Sequence, residues 1–262
     1  MSHQPSPITH QSLTMNQLIA LIPARSGSKR IKNKNIKLFG SHPLIAYTIF
    51  LAQQTKIFSR IIVSTDNAKI AEIAKYYGAE VPFLRPSKFA TDSSPDIEWL
   101  KYTLIKIKAA NNYKYFSILR PTSPFRTASM IQNAWNIFLK DPPVDSIRAI
   151  EKVSQHPAKM WRIKGNRMQP VLKNPKSNEV EWFSTPMQAL PQIYAQNSSL
   201  EISKCSIPLK TNSISGKNII PFIAVGFEGY DINTEKDWIY ARYLIKTGKA
   251  VLPEISKAPY KL

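Results

Sequence analysis

Short apolar runs alternate with amphipathic segments along residues 18–150. Residues 18–22 (Leu-Ile-Ala-Leu-Ile) are apolar at every position and are closed by Pro23. That is the pattern of a strand buried on both faces rather than one with a wet side. Residues 43–54 carry Leu44, Tyr47, Thr48 and Leu51 on one helical face and begin with a proline suited to a first turn. Residues 60–64 read as a second buried strand. Ile70, Ile73, Ala74 and Tyr77 then recur at helical spacing, with Asp66 or Asn67 as cap and Gly78 as stop. Further strands are expected over 81–84, 115–119 and 146–150, and further helices within 92–108 and over 128–139. This alternation predicts an α/β fold: a mostly parallel sheet, helices on both faces and right-handed crossovers.

The rhythm stops after Ile150. Residues 151–215 hold many prolines and isolated aromatics (Trp161, Trp182, Phe183, Tyr194) without helical periodicity. They predict extended arms and loops, inserted over the site or at a dimer contact. Regular structure is expected again over 219–225 and 231–233, and then a helix over 234–245. Thr234 is placed to cap that helix, and Asp237 stands three residues on, close to a capping box. Residues 1–16 are polar, contain Pro5 and Pro7 and lack the apolar stretch of an export signal. They are expected to form a disordered leader to one domain over 17–262, in a soluble cytoplasmic protein with no membrane contact.

Composition adds one constraint and one question. Of 262 residues, 43% are hydrophobic and 20% charged, enough to bury a core. The lone Cys205 excludes an internal disulfide and a cysteine-based zinc centre. Lys and Arg number 36 against 17 Asp and Glu, a net charge of +19. Such an excess suits nucleic acid, an anionic membrane, a small polyanion, or nothing beyond a solvated basic surface. Its local distribution narrows the choice. Arg25, Lys29, Arg30, Lys32, Lys34 and Lys37 follow the first strand with no acid among them. Ligands of open α/β sheets sit outside the carboxyl ends of the strands. Gly27 permits close backbone approach, and small Ser26 and Ser28 leave N–H groups accessible, so this loop predicts phosphate binding. The spacing is neither a P-loop nor a dinucleotide fingerprint. A nucleic-acid binder would need stacking aromatics or a basic recognition helix, whereas this cluster lies on a loop.

Residues 21–36, Leu-Ile-Pro-Ala-Arg-Ser-Gly-Ser-Lys-Arg-Ile-Lys-Asn-Lys-Asn-Ile, resemble the opening motif of the acylneuraminate cytidylyltransferases. These are the CMP-sialic acid synthetases and their relatives for legionaminic and pseudaminic acids. Four more segments resemble that family in its order: Ile62 to Asp66; Phe83-Leu84-Arg85-Pro86 with Ala90-Thr91-Asp92; Leu119-Arg120-Pro121-Thr122-Ser123-Pro124-Phe125-Arg126; and Asp231 to Trp238. The resemblance implies a Rossmann-like three-layer nucleotidyltransferase fold with an extended dimerisation arm near 155–215. It implies a homodimer that uses CTP and Mg²⁺, with no nucleic-acid partner. The anomeric hydroxyl of a nine-carbon 2-keto sugar acid would attack the α-phosphorus, and pyrophosphate would leave.

By the same resemblance, Arg25, Lys29 and Lys34, with Ala24, Ser26, Gly27, Ser28 and Asn35, would contact the triphosphate, and Arg85 would lie near cytosine and ribose. Arg25, Lys34 and Asp231 would be catalytic. Asp231 would hold the metal, with Asn233 where many relatives have a second Asp. Arg120 stands where relatives often have Gln facing the sugar acid, so it is expected to pair with the sugar carboxylate, alongside Thr122, Ser123 and Arg126. Gln188 and Asn197 fall in a segment resembling one that contributes to the family's sugar pocket, although Pro186 and Met187 replace two arginines there. Plainer readings stand beside these: a surface ion pair for Arg120, a helix cap for Asp231, loop packing for Gln188 and Asn197. His42 reads as structural, His156 has no second ligand at metal spacing, and no general base is visible. The nearest rival activity, CMP transfer to the eight-carbon 3-deoxy-manno-octulosonate, is disfavoured by the Pro-Thr-Ser-Pro turn.

Overall fold

A computed structural model describes residues 17–176 and 178–261 of the chain; the expected leader over 1–16 lies outside them. In chain order the elements are β1 (Leu18–Pro23), a small pair β2 (Leu38–Phe39) and β3 (His42–Pro43), α1 (Leu44–Thr55), β4 (Arg60–Ser64), α2 (Ala68–Tyr76), α3 (Asp96–Lys106), α4 (Ala109–Asn112), β5 (Tyr115–Ile118), α5 (Ala128–Lys140), β6 (Ser146–Lys152), β7 (Trp161–Lys164), β8 (Arg167–Pro170), β9 (Tyr194–Lys204), α6 (Ser206–Lys210), β10 (Ile219–Ile223) and α7 (Glu235–Lys246). Among the described residues no helix is long and apolar enough to cross a membrane.

The central sheet is six-stranded, in the order β10-β6-β9-β5-β1-β4. β1 pairs in parallel with β4, Ile19 opposite Arg60 through Pro23 opposite Ser64, and in parallel with β5, Leu18 opposite Tyr115. β9 runs antiparallel to β5. The fold is thus mixed α/β with a mostly parallel central sheet. Its three layers follow from β1 itself. Leu18, Ala20 and Ile22 join a core with α1, α2 and α5, while Ile19 and Leu21 join a second core with Trp99, Leu100 and Leu104 of α3. Successive strand side chains point to opposite faces, so a strand apolar at every position requires helices on both. A third cluster places Trp238, Ala241 and Leu244 of α7 against Ile31, Phe39 and Phe125, next to the loops that follow β1 and β5.

Two expected elements change. The strand expected over 81–84 does not form, and only a bridge between Ile62 and Glu80 remains. Pro82 and Pro86 supply no N–H for a ladder. The segment read as irregular to residue 215 contains β9 and α6. Ile150–Gln196 forms a compact unit of its own, and the remainder of the chain forms the other. The smaller unit carries the β7–β8 hairpin and a packed pair of rings, Trp161 and Phe183. In it, His156 caps a short turn by accepting from the Ala158 N–H (3.1 Å), and its other ring nitrogen meets the Pro191 carbonyl (2.9 Å).

His42 is structural as expected. It is buried, its Nδ1 lies 3.0 Å from the Tyr77 hydroxyl, and its ring sits edge-on to Tyr47 and Tyr77. The Tyr260 N–H donates to the same hydroxyl (3.0 Å), tying residues near the chain end to this cluster. Burial lowers the imidazole pKa from its ordinary 6.5. As pH falls through 6.5, the unfolded chain takes up the proton before the folded one, so stability is lost on the acid side. Urea midpoints measured from pH 7 to pH 5 are expected to fall, and to fall less steeply in His42→Asn.

Candidate active site

The loops after β1, β4 and β5 and the turn before α7 meet around a cavity of about 380 Å³. Arg25, Ser28, Arg30, Lys34, Asn35, Arg85, Asp96, Arg120, Thr122, Asp231 and Asn233 line it. This is the carboxyl edge of the parallel strands, where open α/β sheets bind ligands.

The loop after β1 is braced from several sides. Ala24 is buried, and its N–H continues the sheet ladder to the Ser64 carbonyl (3.0 Å). Ser26 donates its N–H (2.9 Å) and its hydroxyl (2.6 Å) to the two carboxylate oxygens of Asp66. The Ser28 N–H donates to the Ser26 carbonyl (2.9 Å). The amides of Ala24, Ser26 and Ser28 are therefore committed, and those of Arg25 and Gly27 are left without an acceptor among the described residues of the Ala24–Ser28 stretch. Asn35 is buried and donates Nδ2 to the Arg25 carbonyl (3.1 Å), supporting the loop. Arg25 and Lys29 both pair with Asp92 at 2.7 Å. Arg30 has no ion pair among the described residues. Asp66, a possible helix cap by sequence, is free for this role because Asn67 caps α2 by accepting from the Ile70 N–H (3.0 Å). Its place just past the carboxyl end of β4 was the available signal.

Lys34 and Asp231 meet through the backbone of Ile232. Lys34 Nζ donates to the Ile232 carbonyl (2.7 Å), and the Ile232 N–H donates to the Thr122 carbonyl (2.8 Å). The cap that Asp231 might have supplied is made instead by a complete capping box. Thr234 Oγ1 accepts from the Asp237 N–H, and Asp237 Oδ2 accepts from the N–H groups of Thr234 (2.7 Å) and Asn233 (2.9 Å). Asp231 is left to the cavity. Its Oδ2 accepts from Asn233 Nδ2 (2.6 Å), while its Oδ1 is buried with no partner. Asn233, expected as a possible ligand, donates through its amide nitrogen to Asp231, which leaves its amide oxygen uninvolved in that contact. Burial lowers the Lys34 pKa, against the opposing pull of Asp231.

The arginines after β4 and β5 are engaged by neighbouring groups, and for Arg120 the ion-pair reading is the one the structure shows. Arg85 is buried, donates Nε to Ser64 Oγ (3.1 Å) and lies over the Trp99 ring; burial pulls its pKa down to about 10 against Asp66 and Asp96. Arg120 does not offer an open guanidinium. Nη2 pairs with Asp96 and Nη1 with Glu201 Oε1 (2.6 Å), whose other oxygen holds Arg148 (2.6 Å). Burial opposes the Arg120 charge, but Glu201 and Asp96 outweigh it and raise the pKa. Arg126 is fully buried and donates to the Ser199 carbonyl, Thr48 Oγ1 (3.0 Å) and the Arg120 carbonyl (2.7 Å). It holds the turn rather than lining the cavity. Ser123 is likewise buried, whereas Thr122 lines the cavity. Asn197 accepts from the N–H and hydroxyl of Ser199, and its neighbour Ser198 reaches the cavity. Gln188 belongs to the smaller unit and lines a different cavity there, of about 440 Å³, with His156 and Leu190. Among the described residues no three His, Cys, Asp or Glu side chains gather as a metal cluster.

Glu201 is the residue that sequence reasoning missed. Its side chain is 4% exposed and pairs with two arginines, whose charges it balances together with Asp96. Removing one partner of a buried ion pair typically costs about 3 kcal/mol or more. Glu201→Gln is expected to lower unfolding stability by about 3 kcal/mol in urea titrations, with Arg120→Met and Arg148→Met each costing less.

The cytidylyltransferase family profile matches residues 19–160. Over 240 residues the chain is 32% identical to CMP-N,N'-diacetyllegionaminic acid synthase of Legionella pneumophila, covering 90% of this chain and 99% of that one. It is 42% identical over 122 residues to N-acylneuraminate cytidylyltransferase of Escherichia coli, covering 47% of this chain and 28% of that one. Among solved structures, CMP:2-keto-3-deoxy-manno-octonic acid synthetase complexed with CTP has the same fold at a TM-score of 0.65 and 12% identity, over 88% of this chain and 99% of that one. The match in sequence over nearly the whole length, on a sheet of this order, means that the chain belongs to the cytidylyltransferase family.

Proposed function

We propose that the protein transfers CMP from CTP to the anomeric hydroxyl of a nine-carbon 2-keto-3-deoxy sugar acid of the sialic, legionaminic or pseudaminic type, releasing pyrophosphate. The observation that carries this reading is the cavity itself: Arg25, Arg30 and Lys34 face it together with Asp231, in a chain whose near-full-length relatives are named as CMP-legionaminic acid synthases. A triphosphate brings nearly four negative charges, and more develops on the departing pyrophosphate. Preorganised cations aimed at that charge stabilise the transition state more than any other single factor. Arg25 and Lys29 grip the phosphates from the loop, and the Gly27 N–H adds a donor. Lys34 is fixed by the Ile232 carbonyl beside Asp231, where it meets developing charge without reorganising. Arg85, held by Ser64, walls the nucleoside side. With Arg120 neutralised, the uncommitted guanidinium for the sugar carboxylate is Arg30.

The buried, unpartnered Oδ1 of Asp231 fits one magnesium ligand, since Mg²⁺ binds through one or two carboxylates and completes its shell with substrate phosphates and water. Asp231 would hold the ion, oriented by Asn233, and the ion would supply further charge neutralisation at the phosphates. The same reading takes the arm expected near 155–215, whose stretch to Gln196 lies in the smaller unit, as a homodimerisation arm on which exposed Ile163, Met168 and Val180 become covered, and places the reaction in the cytoplasm with CTP.

Incubation with CTP, Mg²⁺ and a panel of sialic, legionaminic, pseudaminic and octulosonic acids is expected to release pyrophosphate with at least one nine-carbon acid; silence across the panel refutes the reading. Lys34→Ala is expected to reduce kcat/KM by about 10²–10³, the scale for removing one preorganised charge-stabilising donor. In the native enzyme kcat/KM should decline on the alkaline side with an apparent pKa below the ordinary 10.5 of lysine, and Lys34→Arg should remove that limb. Asp231→Ala should abolish the response to added Mg²⁺ while leaving the fold intact by circular dichroism.

A further inference from the structure

Asp92 stands apart from the acids that shape the cavity. It is the one carboxylate paired with Arg25 and Lys29 among the described residues: Oδ1 with Arg25 Nη2 and Oδ2 with Lys29 Nζ, each at 2.7 Å. One anionic group bridging two cations through separate oxygens is the arrangement a phosphate takes between the same side chains. The turn before Asp92, Ser87–Phe89, is anchored, with the Phe89 carbonyl accepting from Arg85 Nη1 (3.4 Å) and Ala90 buried, while residues 91–94 that carry Asp92 have few polar ties beyond it. Their contacts are made largely among themselves and with that turn: Thr91 Oγ1 with Ser94 Oγ (2.7 Å), and Ser94 Oγ to the Lys88 carbonyl (2.8 Å). The further tie to the β1 loop is Arg25 Nη1 to the Ala90 carbonyl (3.3 Å). The Asp92 side chain is 43% exposed and that of Lys29 83%, so water competes for the pairing. Exposed pairs of this kind contribute little each, whereas a triphosphate presents several oxygens and several charges at once. Lys29 and Arg25 keep the Asp92 carboxyl below its ordinary pKa, so it remains ionised through the neutral range.

We propose that Asp92 is an internal stand-in for a substrate phosphate: it holds Arg25 and Lys29 together until the triphosphate displaces it, and so sets the threshold for nucleotide binding. This rests on reading the β1 loop as the triphosphate cradle. On this view Asp92 makes no contact with bound nucleotide. Its segment is released when the ligand arrives and re-engages the same two cations when pyrophosphate departs. Asp66 has the opposite character. It binds the loop backbone and hydroxyl of Ser26 rather than its charges, and a ligand that takes the cations leaves it in place.

Calorimetric titration of the full chain with CTP and, separately, with inorganic tripolyphosphate tests this. Asp92→Asn is expected to lower both dissociation constants by about two- to fivefold, the scale of losing two exposed ion pairs as competitors. Glu235→Gln removes the same charge from a pair on Lys37 outside the cradle, and is expected to change them by less than about 1.5-fold through screened, long-range attraction. Hydrogen exchange of residues 90–94 is expected to speed up on adding tripolyphosphate to the native protein. An unchanged or weakened affinity in Asp92→Asn, an equal gain in Glu235→Gln, or slowed exchange in 90–94 overturns the stand-in role while leaving the cradle intact. Failure of the native protein to bind either anion overturns the cradle and the stand-in together.

Discussion

Like charges crowd the carboxyl edge of the parallel strands, and their repulsion is the constraint that the surrounding structure answers. Two unit charges 4 Å apart at the effective dielectric of a protein surface oppose each other by about 4 kcal/mol. Arg25, Arg30, Lys34, Arg85 and Arg120 nevertheless share one cavity wall. They hold their places because each segment that enters the region brings an acceptor. Asp92 bridges Arg25 and Lys29, Asp96 and Glu201 flank Arg120, Asp231 lies beside Lys34, and Ser64 offers its carbonyl and hydroxyl to Arg85. The acceptors come from β4, the loop before α3, α3 itself, β9 and the turn before α7, segments far apart in the chain that the sheet brings together. Sheet order and site electrostatics are in this sense one problem.

Much of the fold was legible because hydrophobic periodicity reports burial directly. The continuous apolar run of β1 specified a doubly covered strand, and the spacing of Ile70, Ile73 and Ala74 specified the face that α2 buries, whereas α1 is buried nearly all round, with Ile45, Ala46 and Ile49 beside the expected Leu44 and Tyr47. β9 escaped the same reading because Ser199, Glu201 and Ser203 give it polar positions that are nonetheless buried. Each is satisfied at long range: the Ser199 carbonyl by Arg126, Glu201 by two arginines, the Ser203 hydroxyl by the Asp145 carbonyl (3.3 Å). Local periodicity carries no trace of partners so distant in sequence. The strand expected over 81–84 failed for the converse reason, since its composition was apolar but Pro82 and Pro86 removed ladder donors.

The site was legible in kind more than in detail. A basic loop after a buried strand located the cavity, and the resemblance supplied a chemistry. Neither could tell which groups were already committed. Arg120 could be read as open or ion-paired, and Asp96 and Glu201 pair it; Asp66 takes the Ser26 amide, and Arg126 is buried. The net charge of +19 changes meaning accordingly. Around the cavity, part of it is offset by buried or bridging acids, and what faces a ligand is the uncommitted remainder.

Ile232 divides its duties between main chain and side chain. Its N–H reaches Thr122 and its carbonyl receives Lys34, while its side chain is fully buried in the cluster with Phe39 and Trp238. The spacing between Lys34 and Asp231 is therefore recorded in peptide groups, which every residue except proline provides in full. A substitution at this position keeps both hydrogen-bonding groups, and its first effect falls on the packing with Phe39 and Trp238. The placement of Lys34 beside Asp231 is thereby held by main chain, not by the side chain nearest to both.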